Sequence, residues 1–226
     1  MIQILAVTCA LFTSFSVAYL YKLYRDLSKQ VQHRSHCGNA SALCGKPVHI
    51  ATVPESVYSG RYFAQYDMSS KSVCRSDLQA DQIGPLLTKL VRRNMTASMH
   101  FPQALMFQSA SSTIEERQSF ETSHITSLFF GEGDLVCGVY RVIRRSQSTV
   151  EFEIQMKSME FLDGRLAIFF CEQGNDIVFC SKTIIWRPCQ EPRAMPLEKP
   201  LLRWMHETSA WWLLDTGVKY LSNLDS

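Results

Sequence analysis

Residues 149–156 read TVEFEIQM. Val150, Phe152, Ile154 and Met156 alternate with Glu151, Glu153 and Gln155, the period of two that turns one side of a strand to a core and the other to water. Strand-like runs surround it at Ile125 to Phe130, Leu135 to Ile143, Leu166 to Cys171 and Ile177 to Trp186. Asp163-Gly164 and Gly174-Asn175-Asp176 supply turns of hairpin type, so the short successive connections predict an antiparallel meander.

Outside these strands the period changes. Between Asp81 and Met99, Leu86, Leu87, Leu90, Val91, Met95 and Met99 recur at helical spacing, Pro85 suits a first turn, and Pro102 limits continuation. Ser109 to Gln118 is polar and reads as a loop in which Glu115, Glu116 and Arg117 are solvated. Arg187 to Pro200 holds four prolines and crosses a surface. Leu201 to Leu221 then resumes helical spacing, with Leu201, Trp204, Met205, Trp211, Trp212, Leu214, Val218 and Leu221 on a broad apolar face. Upstream, Ser35 to about Ser76 is broken by glycine and proline between Val48 to Val53 and Tyr58 to Tyr66, and reads as a linker leading into a first strand or two.

A helix, about five antiparallel strands and a long terminal helix predict an α+β fold in which the terminal helix buries its tryptophans against a curved antiparallel sheet. That arrangement resembles the START-like, helix-grip or polyketide-cyclase-like architecture, where sheet and helix enclose an apolar ligand. A hotdog fold, or an α+β barrel of the scytalone-dehydratase type, is the alternative. Such likeness bears on fold and carries no function alone.

Ile2 to Leu20 (IQILAVTCALFTSFSVAYL) has no charged side chain and matches a hydrocarbon core of about 30 Å at about 1.5 Å per residue. Tyr19, Tyr21 and Tyr24 stand where an aromatic belt would, and Lys22, Arg25, Lys29 and Arg34 follow, which predicts a single-pass anchor with the body in the cytosol, as on the endoplasmic reticulum. The rival is a cleaved signal peptide, with Ser16-Val17-Ala18 as small residues at the right spacing, and a secreted body. The expected organisation is an anchor over 1–21, linker and first strands over 22–76, and the α+β domain over 77–226.

The 226 residues suffice for one core, and 46% hydrophobic residues with no low-complexity tract describe a folding chain. A net charge of +2, from 23 basic and 21 acidic residues without a basic block, excludes a nucleic-acid footprint. Of eight cysteines, Cys9 lies in the apolar run and no pair forms a CxxC. Cys137, Cys171 and Cys180 fall in apolar runs where a thiol behaves as a small hydrophobe, so neither a zinc site nor a disulfide scaffold is expected. Cys37 and Cys44 could bridge only in a lumenal body, and the sequons at Asn39 and Asn94 would matter only there.

Gly133 to Val142 (GDLVCGVYRV), Ile185-Trp186-Arg187-Pro188, and Arg203 to Leu214 with Gly217 resemble small fungal proteins, some encoded beside secondary-metabolite genes. The resemblance covers about residues 80–221 through structural motifs and implies a role near polyketide or terpenoid metabolites.

No GxSxG, Walker loop, dinucleotide GxGxxG or HExxH occurs, so hydrolase, kinase, dehydrogenase and zincin readings lose support, and no cofactor or metal is expected. Acid–base candidates are the polar residues on apolar elements: His206, Asp134 and His124, with His100 and Glu207 behind them. His206 and Glu207 point about 100° apart on a helix, so one at most faces a cavity. Asp134 after Gly131-Glu132-Gly133 also suits capping of backbone amides in a turn. Trp204, Trp211, Arg141 and Tyr140 are the ligand-binding candidates, with core or surface roles as their plain alternative.

Two functions follow. One is a cofactor-free protein at the membrane that holds an apolar intermediate and promotes cyclisation, dehydration or isomerisation. The other is a noncatalytic carrier of lipid or metabolite, or an assembly partner of membrane-bound biosynthetic enzymes. Convergence of two among His100, His124, Asp134 and His206 in one pocket would favour the first.

Overall fold

The computed structural model describes residues 18–45, 50–78 and 83–223. A helix α1 occupies residues 18–30, followed by β1 (Gln32–Asn39), β2 (Tyr62–Cys74) and four helices, α2 (Gly84–Ser98), α3 (Pro102–Ala110), α4 (Ile114–Gln118) and α5 (Thr122–Ser127). Strands β3 (Leu135–Val136), β4 (Tyr140–Arg145), β5 (Thr149–Ile154), β6 (Asp163–Gln173) and β7 (Asp176–Pro188) follow, and α6 (Pro200–Ser222) closes the chain.

The strands form one antiparallel sheet in the order β1-β2-β7-β6-β5-β4-β3. The fold is therefore α+β with a seven-stranded antiparallel sheet and a long C-terminal helix. The last strand lies beside β2, so the two longest strands sit inside the sheet with both faces covered. Val150, Phe152, Ile168, Ile177 and Phe179 project from one face into the main core with α2 and α6. Ala64, Tyr66, Ala167, Ile184 and Trp186 project from the other, beneath the 3-10 turns Ala40–Leu43 and Glu55–Ser59.

Local chemistry sets the ends. Proline opens α2, α3 and α6, where its missing N–H costs nothing. Pro102 thus starts a new helix after α2 instead of only stopping the old one. Gly217 lets α6 approach α2 closely, since a Cβ there would stand 2.6 Å from both Asn94 Oδ1 and Leu90 Cδ1.

Several expectations need correction. Ile125 to Phe130 is not a strand: Thr122–Ser127 is helical and buries Ile125. Leu135 to Ile143 is broken at Cys137 (φ 51°) and Gly138 (φ 67°), which turn the chain between β3 and β4. Ser109 to Gln118 contains α4, started by a capping box in which the Thr113 side chain accepts from Glu116 N–H. Glu116 is buried, and its carboxylate accepts from Ser112 N–H and pairs with Lys157. The glutamate side of β5 is not wet throughout, because Glu151 is buried and accepts from Ala51 N–H and Thr52 N–H at 3.2 and 3.0 Å. Asp163-Gly164 belongs to β6.

Residues 22–30 are helical where a linker was expected, and Leu27 and Val31 enter the main core. Helix α1 runs parallel to α6: Tyr24 meets Trp204 and Trp211, and Gln30 accepts from Lys219 Nζ at 2.9 Å. Of the apolar run Ile2 to Leu20, residues 2–17 lie outside the described residues. Among the described residues no helix is long and apolar enough to cross a membrane.

Candidate functional site

An apolar cavity of about 360 Å³ lies between the sheet, α3 and α6. Its floor is Leu166 and Ile168 of β6 with Ser181, Thr183 and Ile185 of β7, and its roof is His206, Ser209, Ala210 and Leu213 of α6. Helix α3 closes one side with Phe101, Ala104, Met106 and Phe107 around it. Met106 (69% exposed) and Leu202 (36% exposed) line the cavity and also reach solvent, so they mark its mouth. A space of this size suits a small organic molecule.

The polar edge of the cavity continues under α6. In the β2–β7 ladder Asp67 stands opposite Thr183 and Ser69 opposite Ser181, while in the β1–β2 ladder His33 stands opposite Ser69 and Ser35 opposite Asp67. Opposed residues share a face. One polar strip therefore crosses three strands, from His33 at its outer end to Thr183 at the cavity wall.

At the outer end His33 Nε2 lies 2.7 Å from Asp67 Oδ1, beneath the ring of Trp211 at 4.6 Å. Glu207 Oε1 approaches the same nitrogen at 3.9 Å, and burial pushes the Glu207 carboxyl above the ordinary range. An open groove of about 660 Å³ lined by His33, Lys71 and Trp211 exposes this end. Below it, Asp215 is buried between Lys71 and Lys219. Burial opposes its ionisation, but the hydrogen bonds from Lys219 and Lys71 outweigh that and hold the carboxyl below its usual range.

The expected site residues are scattered. His206 lines the cavity, and its Nε2 is buried with no hydrogen-bond partner. Tyr140 also lines it, edge-on to Phe152 at 6.3 Å, and burial pushes its hydroxyl up to about 12. His124 instead contacts the Leu135 carbonyl at 3.1 Å, and Asp134 accepts from Gly131 N–H at 2.8 Å in the turn before β3. Arg141 donates to the Gly133 carbonyl and pairs with Glu115 at the surface. His100 is exposed just after α2. Trp204 and Trp211 pack against Tyr24 rather than lining the cavity. Of the four acid–base candidates whose convergence would favour an enzyme, His206 alone lines the cavity.

His33, Asp67, Gln65 and Thr183 were absent from the expectations. Their signal was the alternation Gln65, Asp67, Ser69, Lys71 against Ala64, Tyr66, Met68, which reads as a wet strand face until α6 is seen to cover it.

No protein-family model matches this chain, and no curated protein matches it. Among solved structures it is similar to CalU16 from Micromonospora echinospora, with 9% identity, over 85% of this chain and 92% of that one, at a TM-score of 0.36. At that identity and score the likeness assigns neither fold family nor activity.

Proposed function

We propose that this protein is a helix-grip, START-like carrier that holds an amphipathic small molecule without transforming it. The observation that carries the reading is the apolar cavity between sheet and α6, with Ser181 and Thr183 on one wall and mainly Leu, Ile, Met and Phe elsewhere. Such a lining receives a hydrocarbon body by the hydrophobic effect and orients one polar end. Acid–base chemistry ordinarily needs groups that converge on the reacting atoms, and the expected candidates other than His206 sit outside the cavity. The setting we assign is metabolite biosynthesis, with the apolar run Ile2 to Leu20 holding the body at a membrane where apolar intermediates collect.

The test is displacement of a fluorescent fatty-acid probe from the delipidated full chain, repeated with Leu213→Trp to fill the cavity. Saturable binding lost in the folded variant supports the reading. Absence of binding, or binding indifferent to Leu213→Trp, overturns it.

The buried, unpartnered Nε2 of His206 favours a second reading, acid–base catalysis on the bound molecule. Metabolite profiling of a strain lacking the gene, complemented with His206→Ala, separates the two. Restoration of the product leaves the carrier, and accumulation of the same intermediate by a variant that still binds the probe selects the enzyme.

A further inference from the structure

We infer that His33, Asp67 and Glu207 form a binding site for a divalent transition-metal ion of the zinc class. One ligand atom from each side chain lies within 4.8 Å of the other two, and the three come from β1, β2 and α6. His33 Nε2 is 2.7 Å from Asp67 Oδ1 and 3.9 Å from Glu207 Oε1. Ligand atoms held about 2.1 Å from zinc stand about 3.0 to 3.4 Å apart. The two His33 separations enter that range with shifts of up to about half an ångström, and the Asp67–Glu207 separation, no more than 4.8 Å, closes by at most about 1.4 Å. One imidazole and two carboxylates suit zinc and its first-row neighbours, and three protein ligands leave a position for water.

Unsatisfied polar atoms distinguish this cluster from an ordinary buried ion pair. Glu207 Oε1 is buried with no hydrogen bond of its own, and the Ser35 hydroxyl, which bonds the same side chain, offsets the burial of the carboxylate only in part. That desolvation is costly unless a cation or donor compensates it. The strip beside it is short of partners too. Ser69, 0% exposed and opposite His33, has an unpartnered hydroxyl, and Gln65, 2% exposed and two residues from Asp67 on the same face, has both amide atoms unpartnered. Polar side chains around a metal site find such bonds in the ligands and the bound water.

The surrounding charges permit a cation. Asp67 and Glu207 supply two negative charges, Lys71 is paired with Asp215, and Arg34 leaves β1 from the face opposite His33. Arg203 lies one turn before Glu207 on α6, and its repulsion is the cost the two carboxylates must exceed. The groove that includes His33 provides the route in from solvent, past Lys29 and Lys71, whose repulsion the two carboxylates must also exceed. The site does not depend on what the apolar cavity holds.

The test is calorimetric titration of the chelator-stripped full chain with zinc, alongside the visible spectrum with cobalt(II). One equivalent should bind, with a cobalt spectrum free of thiolate charge-transfer bands. Glu207→Gln, which keeps the shape and the His33–Asp67 contact, should weaken binding by more than the ~10- to 100-fold typical of outer-shell changes. Cys37→Ser should leave it unchanged. No binding, equal binding by Glu207→Gln, or loss in Cys37→Ser overturns the proposal. Should Glu207→Gln fail to fold, the wild-type chain decides: zinc should protect His33, and not His36, from carbethoxylation by diethyl pyrocarbonate, read by peptide mass spectrometry. Equal modification of His33 with and without zinc overturns it.

Discussion

Thr183 stands directly opposite Asp67 in the β2–β7 ladder, so the wall of the apolar cavity and the carboxylate that holds His33 are neighbours on one face of the sheet. The polar end of a bound molecule would then lie at Thr183, with its hydrocarbon toward Leu166, Ile168 and α3. Thr183→Val keeps the shape and deletes the hydroxyl. Affinity for a carboxylate- or hydroxyl-bearing probe should fall by about 1 kcal/mol, roughly fivefold, the usual worth of one hydrogen bond. A pure hydrocarbon probe should bind as before. Parallel titrations check this, and equal losses for both probes would show that Thr183 supplies packing only.

Asp215 joins β2 to α6 through Lys71 and to the next turn of α6 through Lys219. Asp215→Asn leaves Lys71, 16% exposed, without its counter-charge beneath the helix. Breaking the pair should cost about 2–4 kcal/mol, below the upper range for buried pairs because Lys219 is largely solvated. The midpoint of urea unfolding should move down with an unchanged slope. A loss under about 0.5 kcal/mol would mean that water replaces the carboxylate without penalty.

The Glu116 carboxyl is held down at about 2 by the Lys157 ammonium and by the Ser112 and Thr113 N–H groups. Its folded value lies below its unfolded one, so the stabilisation is complete above the ordinary glutamate value of 4.5 and disappears as pH falls from there toward about 2. Wild type should lose stability through that window, whereas Glu116→Gln starts lower and changes less. Thermal unfolding across the acid range tests this, and parallel curves for the two proteins would refute it.

Gly138 has φ 67°, and a Cβ there would lie 2.7 Å from the Phe120 ring. Left-handed backbone costs a non-glycine residue about 1–2 kcal/mol, and crowding a buried ring costs about 1–3 kcal/mol. Gly138→Ala should therefore destabilise by about 2–5 kcal/mol, since both effects act in one direction. Chemical denaturation measures it; a change of about 1–2 kcal/mol would show that Phe120 moves aside and the backbone cost alone remains, and a smaller one would refute both.

Long periodic segments were legible in the sequence. Leu201 to Leu221 is helical within Pro200–Ser222, and Ile177 to Trp186 lies within β7, because each carries enough repeats to outvote local exceptions. Short runs failed: Ile125 to Phe130 has the β-branched and aromatic content of a strand, yet α2 supplies a packing face for Ile125 that makes a helical turn the better burial. Alternation also misled, because Glu151 read as a wet position, and the same reading of Asp67 would have failed alike. The covering segments, α6 and residues 50–59, lie far away in sequence, and no local pattern announces them. For the same reason His206 could be proposed from a helical face, while the His33–Asp67 pair had no spacing to betray it.

Helix α3 buries a single residue, Ala104, although it walls one side of the cavity, whereas α2 beside it buries six. The frame and the shutter are thus separate parts. Lifting α3 exposes little core, so its local opening should draw on a small fraction of the stability that α2, α6 and the sheet share. If the cavity holds the proposed cargo, exchange would draw on α3 alone and could recur many times within the life of one folded molecule, and the fit could be retuned at the exposed Met106 with little effect on the core.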